Sequence, residues 1–474
     1  MKILFASFEV APFAKVGGLA DVAGALPLAL SRIGHELAVA MPAFAMVLRD
    51  HPVQALTRFE VPINPHWSVP ATAYRLDHKG VDVWLIDGGG FFDQAEDSET
   101  IYRPGLEQHL FFQTAVLQLA KDLEWKPDVI HAHDWQQGFV PVLQRTKYRE
   151  DFANVASLFT IHNHAYQGEF GIEVLDRLGL DRSLFHPEAV EAWGAVNFLK
   201  AGMVFADHTN TVSPTYAREI QTAQYGNRLE GLMAHLARQG RLSGILNGID
   251  TEEFDPATDP RLPCHYDAQN PEGKQGCRAA LLQTLDLEDN GEPILGMVTR
   301  ISRQKGLDLV LQSLPELVHQ GVRLVVQGLG DADLVDALRQ AEREFPHHFR
   351  TRQVFDEGLA RLIYSGSDLF LMPSAFEPCG LGQMIAMRYG TLPVVRATGG
   401  LADTVEDGVD GFSFVPYDAR ELTAAASRGI AAIRDSATRS RMVRHVMEKD
   451  LSWGRSAKEY ESLYASLVRA RALA

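Results

Sequence analysis

The sequence predicts an α/β protein made of two doubly wound, Rossmann-like domains. Three observations lead there. Apolar strand-like runs alternate with amphipathic helical stretches, the pattern of parallel strands covered on both faces. The series starts twice, at KILFASF (2–8) and again at PILGMVTR (293–300). Each start runs into a glycine-bearing loop that leads to a helix, KVGG after the first strand and QKG after the second. A chain of 474 residues is also long enough for two domains of this size.

In the first series, the strand 2–8 is followed by a helical stretch near 20–33. Further strands are expected at VDVWLID (81–87), DVIHAHD (128–134), ASLFTIHN (156–163) and HTNTVS (208–213), with an amphipathic stretch at 107–123 between two of them. In the second series, LDLVLQSLPELVHQ is a helix, VRLVVQG a strand, DADLVDALRQAEREF a helix, and SDLFLMPS and TLPVVR strands. The first domain is therefore set at 1–243 and the second at 244–453. A hinge is expected near 241–250, and the last helix (454–474) is expected to reach back to the first domain. Such domains bind ligands at the carboxyl ends of their strands. Two facing each other make a cleft, a common place for ligand sites.

Composition excludes several classes. Forty-six per cent hydrophobic and 22% charged residues exclude wholesale disorder. The net charge of −16 argues against a nucleic-acid binder. Cys264, Cys277 and Cys379 form no CxxC pair, which fits a reducing compartment. No apolar run approaches the length of a membrane span, and Glu9 and Lys15 interrupt the N-terminal run too early for a signal peptide. A soluble, cytoplasmic protein without a membrane partner is expected.

Chemistry gathers at the strand ends. Gly17 and Gly18 let a ligand approach the backbone, the following helix N-terminus favours an anion, and Lys15 adds a positive charge. An ordinary strand-to-helix turn would look the same. No dinucleotide or P-loop fingerprint is present. Arg300 and Lys305 put two cations at the end of the first strand of the second series, suited to a diphosphate, with QGLGD (327–331) closing the next strand. His131 and His133 alternate onto one strand face, but a third metal ligand at clear spacing is missing, so no metal is assigned. Asp134 can accept hydrogen bonds from sugar hydroxyls, Trp135 offers a stacking face, and His162 and Asn163 end the neighbouring strand. FEPCGLG (376–382) follows a strand and opens a helix; Glu377 can hold a sugar, and the backbone amides there can hold phosphate. TGGLAD (398–403) is another glycine-rich strand-to-helix joint.

Together these segments resemble the glycogen synthases of bacteria and the plant starch synthases. KVGGLADVAGALP (15–27), HAHDW (131–135), TIHNHAYQG (160–168), NFLKAG (197–202), VSPTYAREI (212–220), LNGID (246–250), TRISRQKG (299–306), FEPCGLGQM (376–384) and GTLPVVRATGGLADTV (390–405) carry the likeness across nearly the whole chain. The resemblance implies the GT-B architecture, two Rossmann-like domains facing across a cleft. It implies transfer of glucose from ADP-glucose to an α-1,4-glucan with retention of configuration. The donor lies mainly on the C-terminal domain, and no cofactor is implied.

Carried over by motif, the donor-side residues are Lys15, Gly17, Gly18, Asn247, Arg300, Lys305, Phe355, Cys379, Gly380, Leu381 and Gly382. Asp134, His162 and Glu377 surround the transferred glucose. Asp21, Asn163, Trp135, Tyr102 and Tyr166 fall on the acceptor or sugar side. The chain departs from the family pattern at Phe355, where tyrosine is usual, at Gly382 (threonine), Val354 (glycine) and Arg361 (histidine). The stretch 101–112 is also shorter than usual. Ile385 stands where related transferases carry a second glutamate, which argues against a second carboxylate there. Glu377 then serves either as nucleophile or as a sugar ligand, and a same-face displacement assisted by the leaving phosphate is the preferred mechanism. The competing readings are a transferase of the same architecture with another donor such as UDP-glucose, and a glucan- or nucleotide-binding module without turnover. A Rossmann dehydrogenase is remote without GxGxxG.

Overall fold

The computed structural model describes residues 1–98, 100–102 and 105–473. Arg103 and Pro104, within the shortened 101–112 stretch, lie outside the described residues. The chain divides into two compact units. The first comprises Met1–Val212, Ala217–Asn247 and the stretch from Trp453 onward; the second comprises Ser213–Tyr216 and Gly248–Ser452.

In the first unit the strands are β1 (Lys2–Ala6), β2 (Glu36–Pro42), β3 (Gln54–Asn64), β4 (Trp67–His78), β5 (Val81–Asp87), β6 (Val129–His133), β7 (Ala156–Ile161), β8 (Glu169–Phe170), β9 (Glu191–Ala192), β10 (Ala195–Asn197), β11 (His208–Thr211) and β12 (Leu242–Gly244). Nine of them form one sheet in the order β12-β11-β7-β6-β1-β2-β5-β4-β3. The strands from β12 to β5 are parallel, and β1, β6 and β7, mostly apolar apart from His131, His133, Ser157 and Thr160, are buried along almost their whole length. Burial on both faces is why they read as continuous apolar runs.

The edge hairpin β3–β4 is antiparallel and departs from the all-parallel expectation. Along β4, buried Val69, Ala71 and Ala73 alternate with more exposed residues, as an edge covered on one side requires. A small antiparallel sheet, β8-β10-β9, is set apart from the main one.

The C-terminal helix Trp453–Ala472 belongs to this unit, and buried polar bonds anchor it. The Tyr464 hydroxyl is 2.7 Å from His131 Nδ1, and His131 Nε2 is 2.6 Å from Thr160 Oγ1. Thr160 in turn donates to Asn210 Oδ1, whose amide donates to the Tyr460 hydroxyl at 3.1 Å. His131, on the face that raised the metal question, is thus a structural relay.

The second unit has a single six-stranded parallel sheet. Its strands are β13 (Ile294–Val298), β14 (Arg323–Gln327), β15 (Phe349–Arg352), β16 (Leu369–Met372), β17 (Leu392–Arg396) and β18 (Phe412–Phe414), in the order β15-β14-β13-β16-β17-β18. Strand order reverses between β13 and β16, as it does between β1 and β6 in the first sheet. Ligands of doubly wound sheets bind beyond the carboxyl ends of the strands at such reversals. Arg361, in place of histidine, is buried here. It lies 2.7 Å from Glu253 and 3.5 Å from Asp259, with its guanidinium 3.9 Å above Phe254. No helix among the described residues is long and apolar enough to cross a membrane.

Candidate active site

In the first unit, β1 and β6 deliver Glu9 and Asp134 to the reversal point. Glu9 is only 4% exposed. Its Oε2 accepts the amides of Val16 (2.7 Å) and Gly17 (2.9 Å), and its Oε1 accepts the Tyr102 hydroxyl. The loop before the helix Gly18–Arg32 is therefore folded around a carboxylate from the chain itself. Burial and the Glu9 charge push the Tyr102 hydroxyl well above its usual pKa. Sequence reasoning registered Glu9 only as an interruption of an apolar run. A lone carboxylate at a strand end beside K-x-G-G is the signal that marks it.

Lys15 is exposed and pairs with Asp21 Oδ1 at 2.6 Å. A Cβ added at Gly17 or Gly18 would meet nothing within 4 Å, so open space borders both glycines.

Asp134 has φ 55° and ψ 178°, a region that side-chain-bearing residues rarely occupy. Hydrogen bonds from both its backbone and its side chain hold it there. Its amide donates to the Thr160 carbonyl (2.9 Å), and its Oδ1 accepts the His162 amide (2.7 Å). Burial pushes its carboxyl up to about 7, against the downward pull of the His162 and Asn163 amides, and the nearby Glu9 adds to the rise.

His162 is buried, and its Nε2 is 2.9 Å from His133 Nδ1. Burial lowers its pKa to about 3, so the ring is neutral at physiological pH. Asn163 Oδ1 accepts the Ala165 amide at 3.0 Å. Trp135, expected as a stacking face, is half-buried and packs against His109 (ring centres 4.7 Å apart), Phe170 (6.0 Å) and Phe198 (6.3 Å). Tyr166 is 56% exposed. Asn247 is buried, with no partner for its Oδ1 among the described residues.

In the second unit, β13 delivers Arg300 and Lys305, and β16 delivers Glu377. Lys305 Nζ lies 2.6 Å from Glu377 Oε2, which also accepts the Ser374 hydroxyl at 3.0 Å. Glu377 is 6% exposed. Arg300 is exposed, and its guanidinium donates to Gln304 Oε1 at 3.3 Å.

Glycines set these loops. Gly306 has φ 76°, and a Cβ there would strike the Pro373 carbonyl. Added Cβ atoms at Gly328 and Gly330 would strike the carbonyls of Thr299 and Ile301, flanking Arg300. Gly399 and Gly400 lie against the backbone of Glu377 and Cys379 in the same way. Arg396, which sequence reasoning passed over, ties down the same turn by donating to the Ala375 carbonyl at 2.5 Å.

Cys379 is buried, and Gly380 has φ 76°. Leu381 caps the helix Gly382–Arg388. A Cβ at Gly382, where threonine is usual, would sit 3.1 Å from the Phe370 ring and 3.4 Å from Met372 Sδ, so a side chain there would press on both. Phe355 stands apart from this cluster, beyond β15, and is 78% exposed. Among the described residues no group of three or more His, Cys, Asp or Glu is placed to hold a metal ion.

Comparison with known proteins gives the family and the fold. A family model described as the starch synthase catalytic domain matches residues 2–235, and one described as glycosyl transferases group 1 matches residues 286–445. A glycogen synthase from Desulforudis audaxviator is 44% identical over 484 residues, covering 98% of this chain and 96% of that protein. One from an Anaeromyxobacter species is also 44% identical, covering 99% and 100%. The catalytic domain of starch synthase IV from Arabidopsis thaliana, solved bound to ADP and acarbose, matches at a TM-score of 0.91 and 34% identity over 99% of each chain. A sucrose-phosphate synthase from Thermosynechococcus elongatus shares the fold, with a TM-score of 0.61 at 19% identity over 99% of each chain.

Proposed function

The chain belongs to the starch and glycogen synthase family of glycosyltransferases, and from that premise we propose that its glucosyl donor is ADP-glucose. The acceptor is the non-reducing end of an α-1,4-glucan, configuration at the anomeric carbon is retained, and ADP is released. The observation that carries this reading is the Lys305–Glu377 pair beside exposed Arg300, at the strand-order reversal of the second sheet. The ADP and acarbose bound by the Arabidopsis starch synthase support a nucleotide and a glucan as ligands.

In this reading the second unit holds the donor. As the bond from the anomeric carbon to the β-phosphate oxygen breaks, negative charge grows on that phosphate. Arg300, weakly tethered, and Lys305 supply the positive charge, together with the amides of Leu381 and Gly382. Groups already oriented toward developing charge commonly lower the barrier more than any other single effect. Phe355 offers its exposed ring to the base.

The acceptor 4-oxygen bonds to the anomeric carbon on the face the phosphate leaves, and its proton passes to a phosphate oxygen. Neutral His162 does not take that proton; it lines the reacting centre. Glu377, already bound by Lys305 and Ser374, holds a glucose hydroxyl. Lys15, Gly17 and Gly18 make donor-side contacts, while Asn163, Tyr102 and Asp21 serve the sugar side. The reaction requires no cofactor, and the protein works in the cytoplasm.

The test is incubation with labelled ADP-glucose or UDP-glucose and a maltooligosaccharide. Chain extension from ADP-glucose in preference to UDP-glucose is expected. Preference for UDP-glucose would overturn the donor assignment, and the absence of any transfer would leave only a binding module.

A further inference from the structure

One surface of the first unit breaks a local rule. Strands β9 and β10 are joined by the two residues Trp193 and Gly194, with φ 56° and 84°. Two-residue hairpin loops with positive φ at both positions favour Asn-Gly or Asp-Gly, because bulky side chains are strained there. Tryptophan occupies the first position, and it is 66% exposed, so burial does not account for it.

The neighbouring loop is strained as well, with Asn227 at φ 45° and Arg228 at φ 69°. Three of the seven non-glycine positive-φ residues among the described residues thus meet at one place. Strain of this kind clusters at ligand clamps.

The indole is also fixed in position. Its Nε1 donates to the Arg228 carbonyl at 3.3 Å, and the Arg228 guanidinium lies over the ring at 5.6 Å, itself paired with Glu169 at 3.2 Å. Gln167 donates to the Asn227 carbonyl at 2.9 Å, which ties this loop to the segment bearing exposed Tyr166 and, three residues earlier, Asn163 at the end of β7.

We propose that Trp193, with Arg228, Glu169 and Asn227 at its rim, is a binding site for a distal stretch of the α-glucan acceptor, separate from the reacting centre. A rigid exposed indole offers an apolar face to the C–H face of a pyranose. Paired and amide side chains at its rim suit the hydroxyls of a neutral polymer. The Gln167–Asn227 bond and the bond from the Tyr166 amide to the Asn163 carbonyl link this surface to the loop after β7 within the same unit. This inference rests on the reading that the chain extends a glucan.

The variant Trp193→Asn tests it, because it removes the indole while installing the pair that such a turn prefers. Binding to glycogen is measured by affinity electrophoresis, and kinetics are measured with glycogen and with maltotriose at saturating ADP-glucose. Glycogen affinity should fall about tenfold, the scale of one lost aromatic anchor. KM for glycogen should rise in step, with maltotriose kinetics unchanged and the thermal midpoint not lowered. Unchanged glycogen binding, or an equal loss with both acceptors, would overturn the proposal. So would a change of oligomeric state on size exclusion, which would make this a protein contact. The binding arm needs no turnover, so failure of the donor assignment would show in the kinetics alone.

Discussion

Lys305 Nζ and Glu377 Oε2 are 2.6 Å apart, and this bond joins the two loops that flank the strand-order reversal of the second sheet. The Lys305 ammonium, expected to face phosphate, already has a buried counter-charge. The Glu377 carboxylate is correspondingly committed on one oxygen to Lys305 and Ser374. A carboxylate engaged in this way is a poorer nucleophile and a better-oriented hydrogen-bond acceptor, which favours a role in holding sugar.

The two cations should therefore separate under mutation. Lys305→Ala and Arg300→Ala should each lower kcat by roughly 10²–10³, as for loss of an oxyanion donor. Lys305→Ala also strands the buried Glu377 charge and should cost about 3 kcal/mol of stability. Arg300 is exposed, and its removal should leave stability within about 0.5 kcal/mol. Urea unfolding beside steady-state kinetics checks both. Equal stability in the two variants would mean that the Lys305–Glu377 bond contributes nothing to the fold.

Glu377→Gln should retain measurable transfer and form no trapped adduct. Mass spectrometry after a rapid quench with donor and acceptor reads this directly. A glucosyl group on Glu377 of the unmodified protein would establish double displacement and exclude the same-face route.

The glycines divide into two kinds with opposite expectations. Gly399 has φ 46°, and its Cβ would strike the Glu377 carbonyl, so Gly399→Ala should displace the Glu377 turn and lower both stability and kcat. Gly18 has open space, so Gly18→Ala should fold normally, and any loss of activity would report a ligand approaching the backbone. Thermal melts paired with KM for the donor distinguish them. A raised KM without a lowered melting point is expected for Gly18→Ala.

Much of this site was legible because its residues close apolar runs. Asp134, His162, Arg300 and Glu377 each follow a buried strand, and such strands announce themselves in sequence. Glu9 was not legible, because its meaning lies in partners that do not adjoin it: two loop amides and the hydroxyl of Tyr102, 93 positions away. Gly399 and Gly400 read as a loop joint, while the collision that demands them is with Glu377 and Cys379, a tertiary fact. The hairpin β3–β4 escaped because edge strands alternate and contain no long apolar run. Trp135 adds a partner that residue type alone does not name: its half-buried ring rests on His109 and Phe198.

Phe355→Ala should weaken donor binding by about 1–3 kcal/mol, the range for base–aromatic stacking, while Phe355→Tyr should be nearly neutral. At 78% exposure the ring supports no core, so stability should not change. Stacking tolerates any base, so kcat/KM for ADP-glucose and UDP-glucose should fall together. A fall for one donor alone would give Phe355 a role in base selection that stacking does not supply.

Acid should destabilise the first unit through its buried histidines. Burial lowers the pKa of His109 and His162 to about 3, and burial and neighbouring histidines hold His131 and His133 well below the usual value. Unfolded, each titrates near 6.5. Below that pH the unfolded chain takes up protons that the folded chain refuses, so stability is fully present above about 6.5 and is lost progressively as pH falls toward 3. Asp134 opposes this. With its folded pKa near 7, the folded chain holds a proton that the unfolded chain releases above about 3.8, so this one group loses stability as pH rises across that window. Four histidines against one carboxyl leave a net loss on acidification. Asp134→Asn keeps an acceptor for the His162 amide and removes the opposing group. It should therefore be more stable than the unmodified chain at pH 7.5, and the two should converge near pH 4. Urea unfolding between pH 4 and 8, followed by near-ultraviolet dichroism, measures both curves. If stability is flat from pH 8 to pH 5, the histidines are not held neutral by the fold.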